Sequence, residues 1–201
     1  MISALTPDSM REDGHAACPL ELRKARMSDI PALLHLINGY AARGIMLPRT
    51  ELEISEVIRD FSVALADDVL VGCGALHFYS PTVGEIRSLA VHDTARTRGV
   101  GRQLVETLVE EAAGYSLNAI FAFTYVPDFF RKAGFEEVER GVLPLKAWKD
   151  CLRCPKFQSC DEIAVMRVLR PENWLAHSPK WGQATDAGES ELVVLPVIRK
   201  Q

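Results

Sequence analysis

The chain has no surplus of positive charge: 23 Lys and Arg stand against 27 Asp and Glu, for a formal net charge of −4. Binding to nucleic-acid backbones draws on clustered Lys and Arg, so no nucleic-acid partner is expected. Nor is there a run of about 18 apolar residues, the length a helix needs to span a bilayer. The opening "MISALTPDSMREDGHAACP" carries acidic residues where a secretory signal needs an apolar centre. The expected compartment is therefore the cytoplasm, with no membrane partner. Cysteine is scarce and odd in number: of five, Cys151, Cys154 and Cys160 are bunched together. That is not the framework of a disulfide-stapled domain, and reduced thiols are expected. Internal repeats are absent, as are the Gly-x4-Gly-Lys-Ser/Thr loop and the Gly-x-Gly-x-x-Gly fingerprint near the first strand. The two commonest nucleotide-binding patterns are thereby excluded.

What is present is an alternation of short strands and helices in 201 residues, enough for one domain with tails. "LELRKARM" (20–27) alternates apolar and charged residues as a half-buried strand does. Ser28 caps a helix in which Ile30, Leu33, Leu34 and Ile37 repeat at helical spacing, ended by Gly39 or Gly44. Thr50 and Glu53 have capping-box spacing, so a second helix starts at Thr50. "FSVALA" and "VLVGCGALHFY" read as strands around Asp67-Asp68, and "GEIRSLAVH" (84–92) as a third. Val100, Leu104, Leu108 and Ala112 line one face of a helix ended by Gly114. "NAIFAFTY" (118–125) reads as a strand buried on both faces, Pro127 opens a short helix closed by Gly134, and "FEEVER" is a strand. "LPLKAWKDCL" reads as helix and "EIAVMRVL" (162–169) as the closing strand, after which regular pattern is lost from Pro171 until "ELVVLPVIRK". The fold class expected is α/β: a mixed sheet, antiparallel at first, with a crossover in its second half and helices flanking it. The organisation expected is a lead over 1–19, one domain over 20–170 and an extension over 171–201.

"ARTRGVGRQ" (95–103) leads into the third long helix. Gly99 and Gly101 let a ligand approach the backbone, and a helix N-terminus offers N–H groups without internal partners plus about half a positive charge. Arg96, Arg98 and Arg102 suit an anion such as a pyrophosphate. The alternative is a tight strand-to-helix turn with solvated arginines.

Arg96-x-x-Gly99-x-Gly101 after the strand "EIRSLAV" resembles the coenzyme loop of the GNAT superfamily of acetyl-CoA-dependent N-acetyltransferases, and the order of elements agrees from about Leu20 to Leu169. Within it, "ARGIMLPRTELEI" and "FFRKAGFEEVERGVLPLKAWKDCLRCPKFQSCDEIAVM" resemble the short N-acetylglutamate synthases of bacterial arginine biosynthesis, without the kinase domain of longer relatives. The resemblance implies a GNAT fold, acetyl-CoA as co-substrate, L-glutamate or L-glutamine as acceptor and no metal, and it is compatible with a homodimer. It assigns Arg96, Thr97, Arg98, Gly99, Val100, Gly101 and Arg102 to the coenzyme pyrophosphate. The backbone of Leu89, Ala90 and Val91 falls to the pantetheine arm, and Phe130 to the coenzyme as well. On the acceptor side stand Leu47, Arg49, Arg87 and Ser88, with Arg49 matching the family's carboxylate-binding arginine. The competing reading of Arg49 is a surface arginine opposite Glu51 or Glu53. Longer relatives carry an arginine after the fifth strand, where this chain reads Thr124-Tyr125-Val126, and Arg87 is the candidate replacement.

By the same resemblance Glu85 is the general base that takes the amine's proton; the alternative is a pair with Arg87 on the same strand face. Backbone N–H groups near Leu89 to Val91 suit the oxyanion. Many relatives supply a tyrosine in the helix after strand five, where this chain has Phe129-Phe130. Tyr125 is the nearest phenol and the candidate acid, against a reading as a packed aromatic. Cys151, Cys154 and Cys160 invite a zinc reading, but a structural site needs four ligands, with Cys18, Cys73 or His177 left to complete it. The preferred reading is reduced thiols in a loop beside the substrate entrance. Two other functions stay open: acetylation of protein N-termini or lysines, and a sensor that binds acetyl-CoA or an amino acid without turnover.

Overall fold

The computed structural model describes residues 20–140, 143, 151–152 and 154–176. The expected lead, residues 144–150 of the "LPLKAWKDCL" helix, Cys18, His177 and most of the extension lie outside the described residues. The elements are β1 (Leu20–Lys24), α1 (Ile30–Ala41), α2 (Glu51–Glu56), β2 (Phe61–Ala66), β3 (Val69–Phe78), β4 (Val83–Val91), α3 (Val100–Gly114), β5 (Ala119–Thr124), α4 (Pro127–Lys132), β6 (Glu136–Glu137), β7 (Ile163–Val168) and α5 (Pro171–Ala176). One seven-stranded sheet runs in the order β1-β2-β3-β4-β5-β7-β6. Neighbours are antiparallel except β4 and β5, which are parallel and joined through α3. A parallel pair needs such a crossover, so the single long helix after β4 dictates where the sheet changes sense.

Local chemistry explains most boundaries. Asp67 and Asp68 both adopt φ > 0 (50° and 61°), the two-residue turn that matches strand twist in a hairpin, and aspartate tolerates it better than branched residues. Thr50 Oγ1 accepts from Glu53 N–H (3.2 Å) while Glu53 Oε2 accepts from Thr50 N–H (2.8 Å), the reciprocal cap read from the spacing. Gly39 lies inside α1; Gly44, at φ 70°, follows its end. Asp93–Arg98, read as loop, forms a 3₁₀ turn, and α5 occupies a stretch expected to be irregular, with Pro171 in its tolerated first position. "FEEVER" contributes only two strand residues, because pairing to β7 is limited to Glu136 with Met166 and Glu137 with Val165.

Two apolar layers sandwich the sheet. On one face Leu33 and Ile37 of α1 and Ile54 of α2, all fully buried, pack on Phe61, Val63, Cys73 and Ala75. On the other, Val105 and Leu108 of α3 and Phe130 of α4 pack on Leu76, Ile86, Ile120 and Ala122. Each fully buried aliphatic side chain contributes about 1.5–3 kcal/mol, which anchors the helices far more firmly than their intrinsic propensity.

The feature that shapes the site is a β-bulge in β4. Cys73 pairs with Ala90 and Ala75 with Arg87, so Ser88 and Leu89 together face Gly74, and Ser88 takes φ 52°. Gly74 fits because a Cβ there would lie 3.0 Å from Leu108 Cδ1 and 3.1 Å from Leu89 Cδ1. At Gly72 a Cβ would come within 3.0 Å of Leu104 Cδ1 and Val100 Cγ1. The two glycines of "VGCG" are thus the seat of α3. Gly74→Val is expected to destabilise the protein by about 1–3 kcal/mol, the usual cost of overpacking, read as a lower urea midpoint. An unchanged midpoint would show that α3 lifts from the sheet at no cost.

Candidate active site

The parallel ladder between β4 and β5 covers Val83 with Ala119, Gly84 with Ile120 and Glu85 with Phe121, and ends there. β4 continues to Val91 along β3, and β5 to Thr124 along β7. Glu85 therefore stands where the two strands part. It is buried, at 8% exposure, and across β3 it faces His77, whose Nδ1 lies 2.8 Å from Asp60 Oδ2.

At the far end of β4 lies the glycine loop. Gly99 adopts φ 73° and caps α3, and a Cβ added there would meet nothing within 4 Å. Gln103 N–H donates to Gly99 O (3.1 Å), so the N–H groups of Val100, Gly101 and Arg102 precede the first intrahelical donor and emerge from the helix end. The Val100 side chain is buried in the core and offers only its backbone. A Cβ at Gly101 would sit 3.4 Å from Phe129 Cζ and 3.5 Å from Val91 Cγ2. The ring facing the loop is therefore Phe129, whereas Phe130 packs against Phe135 in the core. Thr97 and Arg98 are exposed. Arg102 pairs with Glu106 at 2.7 Å on an exposed surface, a contact worth little. Arg96 donates to Tyr40 Oη (2.9 Å) and pairs with Asp93 (3.0 Å), and Tyr40 Oη donates to Val91 O (2.6 Å).

On the α1/α2 face, Arg49, Arg87 and Ser88 line one small cleft with Glu53, Ile54, Val57 and Phe61. Glu53 is held by the Thr50 cap, so two guanidinium groups and one committed carboxylate line the space. That charge balance suits an anion. Leu47 is half-buried two residues before Arg49. Asn38, which the sequence reading passed over, grips the Arg49 backbone: its Nδ2 donates to Arg49 O and its Oδ1 accepts from Arg49 N–H, both at 2.9 Å.

The model of the acetyltransferase (GNAT) family matches residues 39–135. An uncharacterized N-acetyltransferase of Chlorobaculum tepidum is 42% identical over 148 residues, 74% of this chain and 96% of that protein. The amino-acid acetyltransferase of Mycobacterium tuberculosis is 36% identical over 125 residues, 61% of this chain and 71% of that one. The chain belongs to the GNAT acetyltransferase family. Among solved GNAT structures, N-acetylglutamate synthase from Neisseria gonorrhoeae, complexed with coenzyme A and N-acetyl-glutamate, superposes with a TM-score of 0.69 at 29% identity, covering 75% of this chain and 35% of that one. The expected fold class is therefore correct, with the mixed sheet and crossover of a GNAT domain.

Within this GNAT domain Tyr125 is 38% exposed, its Oη 3.3 Å from Lys156 Nζ, which also pairs with Asp161 (3.2 Å). Partial burial raises the phenol pKa, so Tyr125 is a neutral hydroxyl at neutral pH. Burial, then the charges of Cys160, Glu162 and Glu85, pushes the Cys151 thiol up to about 11. Glu162 is raised by the same burial, while Arg140 donates to the carbonyls of Cys160 and Glu162 and holds that stretch. Among the described residues no three His, Cys, Asp or Glu side chains form a metal-holding group, and Cys73 is a core thiol pushed up to about 12 by burial.

A thiol with a pKa near 11 is about one part in three thousand thiolate at pH 7.5, and only the thiolate is alkylated. Cys151 and Cys73 in the folded protein are expected to react with iodoacetamide at least tenfold more slowly than in urea, followed by peptide mass spectrometry. Equal rates in both conditions would place these thiols in solvent.

Proposed function

We propose that the protein transfers the acetyl group of acetyl-CoA to the α-amino group of a free amino acid, L-glutamate or L-glutamine. The observation that carries this reading is the cleft in which Arg49, Arg87 and Ser88 meet, opening beside the strand that holds Glu85. A free amino acid brings an α-carboxylate, which an acetyltransferase acting on lysine side chains has no need to bind. The naming of the M. tuberculosis relative and the ligands of the N. gonorrhoeae structure support the same substrate class.

In this reading the coenzyme pyrophosphate rests on the amides of Val100, Gly101 and Arg102, where Gly99 leaves open space, and the pantetheine arm runs along Leu89, Ala90 and Val91. The acceptor carboxylate meets Arg49, with Arg87 and Ser88 beside it. The amine nitrogen attacks the thioester carbon, the C–N bond forms and the C–S bond breaks. The ammonium proton passes to the Glu85 carboxylate, directly or through water, and the departing sulfur takes a proton from Tyr125 or solvent. No acetyl group is held on the protein.

Thiol release from acetyl-CoA, measured with each common amino acid and with an N-terminal peptide, tests the substrate class. Turnover is expected with glutamate or glutamine, and turnover with the peptide alone would overturn the reading. Arg49→Ala is expected to lower kcat/KM for the amino acid about ten- to a hundredfold, the size of a charged hydrogen bond of roughly 1.5–3 kcal/mol, while KM for acetyl-CoA stays put. Glu85→Gln is expected to lower kcat/KM by about 10² at neutral pH. That deficit should shrink toward pH 9.5, because the acceptor then arrives deprotonated and needs no base. A mutant-to-wild-type ratio that is flat across the range would remove Glu85 from proton transfer.

A further inference from the structure

Resting on that reading, we infer that α1 positions both substrates: Asn38 holds the acceptor side through Arg49, and Tyr40 holds the coenzyme side through Val91 and Arg96. Residues two apart on a helix diverge by roughly 200°, so the two side chains leave α1 on nearly opposite sides. Between them α1 is locked to the sheet by Leu33 and Ile37, both fully buried. One rigid body thus carries two contacts aimed at two places.

The Asn38 contact is a two-way grip. Residues 47–50 have no regular secondary structure, so no helix or strand ladder holds the Arg49 peptide. The Asn38 carboxamide supplies both a donor and an acceptor to it, as a neighbouring strand would, each bond at 2.9 Å. The next residue, Thr50, is fixed as the cap of α2. The Arg49 backbone is thereby pinned while its side chain reaches the cleft that holds Arg87 and Ser88. The grip sets where the guanidinium begins.

Tyr40 does the equivalent at the other end of the site. Its ring is buried, its single hydroxyl proton goes to Val91 O at 2.6 Å, and a lone pair accepts from Arg96 at 2.9 Å. Asp93 Oδ1 lies 3.2 Å from the same oxygen and also receives Arg96. The last residue of β4 and the first arginine of the glycine loop are therefore fastened to one atom. Arg96 serves here as a positioning residue, with its guanidinium already engaged.

The test is a split in Michaelis constants across five variants, with L-glutamate, L-glutamine and acetyl-CoA varied in turn. Asn38→Ala is expected to raise KM for the amino acid about tenfold and leave KM for acetyl-CoA within twofold. Tyr40→Phe is expected to do the reverse, and to weaken coenzyme A binding in calorimetry about tenfold where Asn38→Ala does not. Asn38→Asp keeps the acceptor for Arg49 N–H but loses the donor, so it should fall between wild type and Asn38→Ala; it also carries the test if the alanine variant does not fold. The double variant Asn38→Ala/Arg49→Ala should be no worse than Arg49→Ala alone, because Asn38 acts through Arg49. Equal changes in both constants, or a lower Tm with neither changed, would overturn the inference and leave α1 as scaffold. If Arg49→Ala raises the amino-acid KM and Asn38→Ala does not, the inference alone falls. If Arg49→Ala itself has no effect, the acceptor assignment falls with it.

Discussion

A parallel pair of strands that stops pairing while both strands continue is the constraint from which the rest of this site follows. β4 and β5 share three registered residues and then part after Glu85 and Phe121. The bulge at Ser88 and Leu89 bends β4 just beyond that point, and bulges sharpen local twist. Ser88 at φ 52° is a serine in a conformation that costs about 1–3 kcal/mol, kept because its surroundings leave no alternative. Gly74 opposite it leaves room for Leu89, and α3 sits on Gly72 and Gly74 to clamp the arrangement from the other face. With the strands in register to their ends, Glu85 would lie within a continuous sheet and not at the point where β4 and β5 part.

Electrostatics is organised locally and against the net charge. The chain carries four more acids than bases, yet its cleft gathers Arg49 and Arg87 around one carboxylate that is committed to a helix cap. The loop arginines divide differently. Arg96 is engaged at the surface by Tyr40 and Asp93, Arg102 lies along its own helix on Glu106, and the first backbone amides of α3 emerge at the helix end. Two arginines flanking one glycine loop thus have different partners. In the segment carrying Cys151 and Glu162, burial shifts both the Cys151 thiol and the Glu162 carboxyl toward their neutral forms.

Most helices and strands from Leu20 to Gly134 were legible because they rest on local signals: the Thr50–Glu53 cap, the Asp67-Asp68 turn, the apolar face of α3 and the glycine loop that precedes it. The glycine loop is legible for the same reason, since left-handed φ at Gly99 and an open helix end are properties of a short stretch. The expected Ser28 cap is not formed, since Ser28 lies in a 3₁₀ turn and Asp29 precedes α1 with no side-chain cap. Besides the short 3₁₀ turn over Asp93–Arg98 and α5, what was not legible were features whose existence depends on distant partners. β6 is two residues long because β7 accepts no more of it, and the Ser88 bulge is invisible in "EIRSLAV", since its register is defined only against β3.

The amino-acid sequence by itself determined the order of elements, the crossover that makes β4 and β5 parallel, and the chemistry available at positions 85 to 102, because covalent spacing and backbone preference act over a few residues. Tertiary structure alone decided which of those residues meet. It brought Arg49 and Arg87 from separate elements into one cleft, turned Phe129 rather than Phe130 toward the loop, and bound Arg96 to Tyr40. It also gave Asn38 and Tyr40, which look in sequence like an interruption and a continuation of an apolar helix, their contacts with Arg49 and Val91. The reason is that hydrogen-bond partners eleven and fifty-one residues apart are selected by how α1 packs on the sheet, and no local pattern encodes that packing.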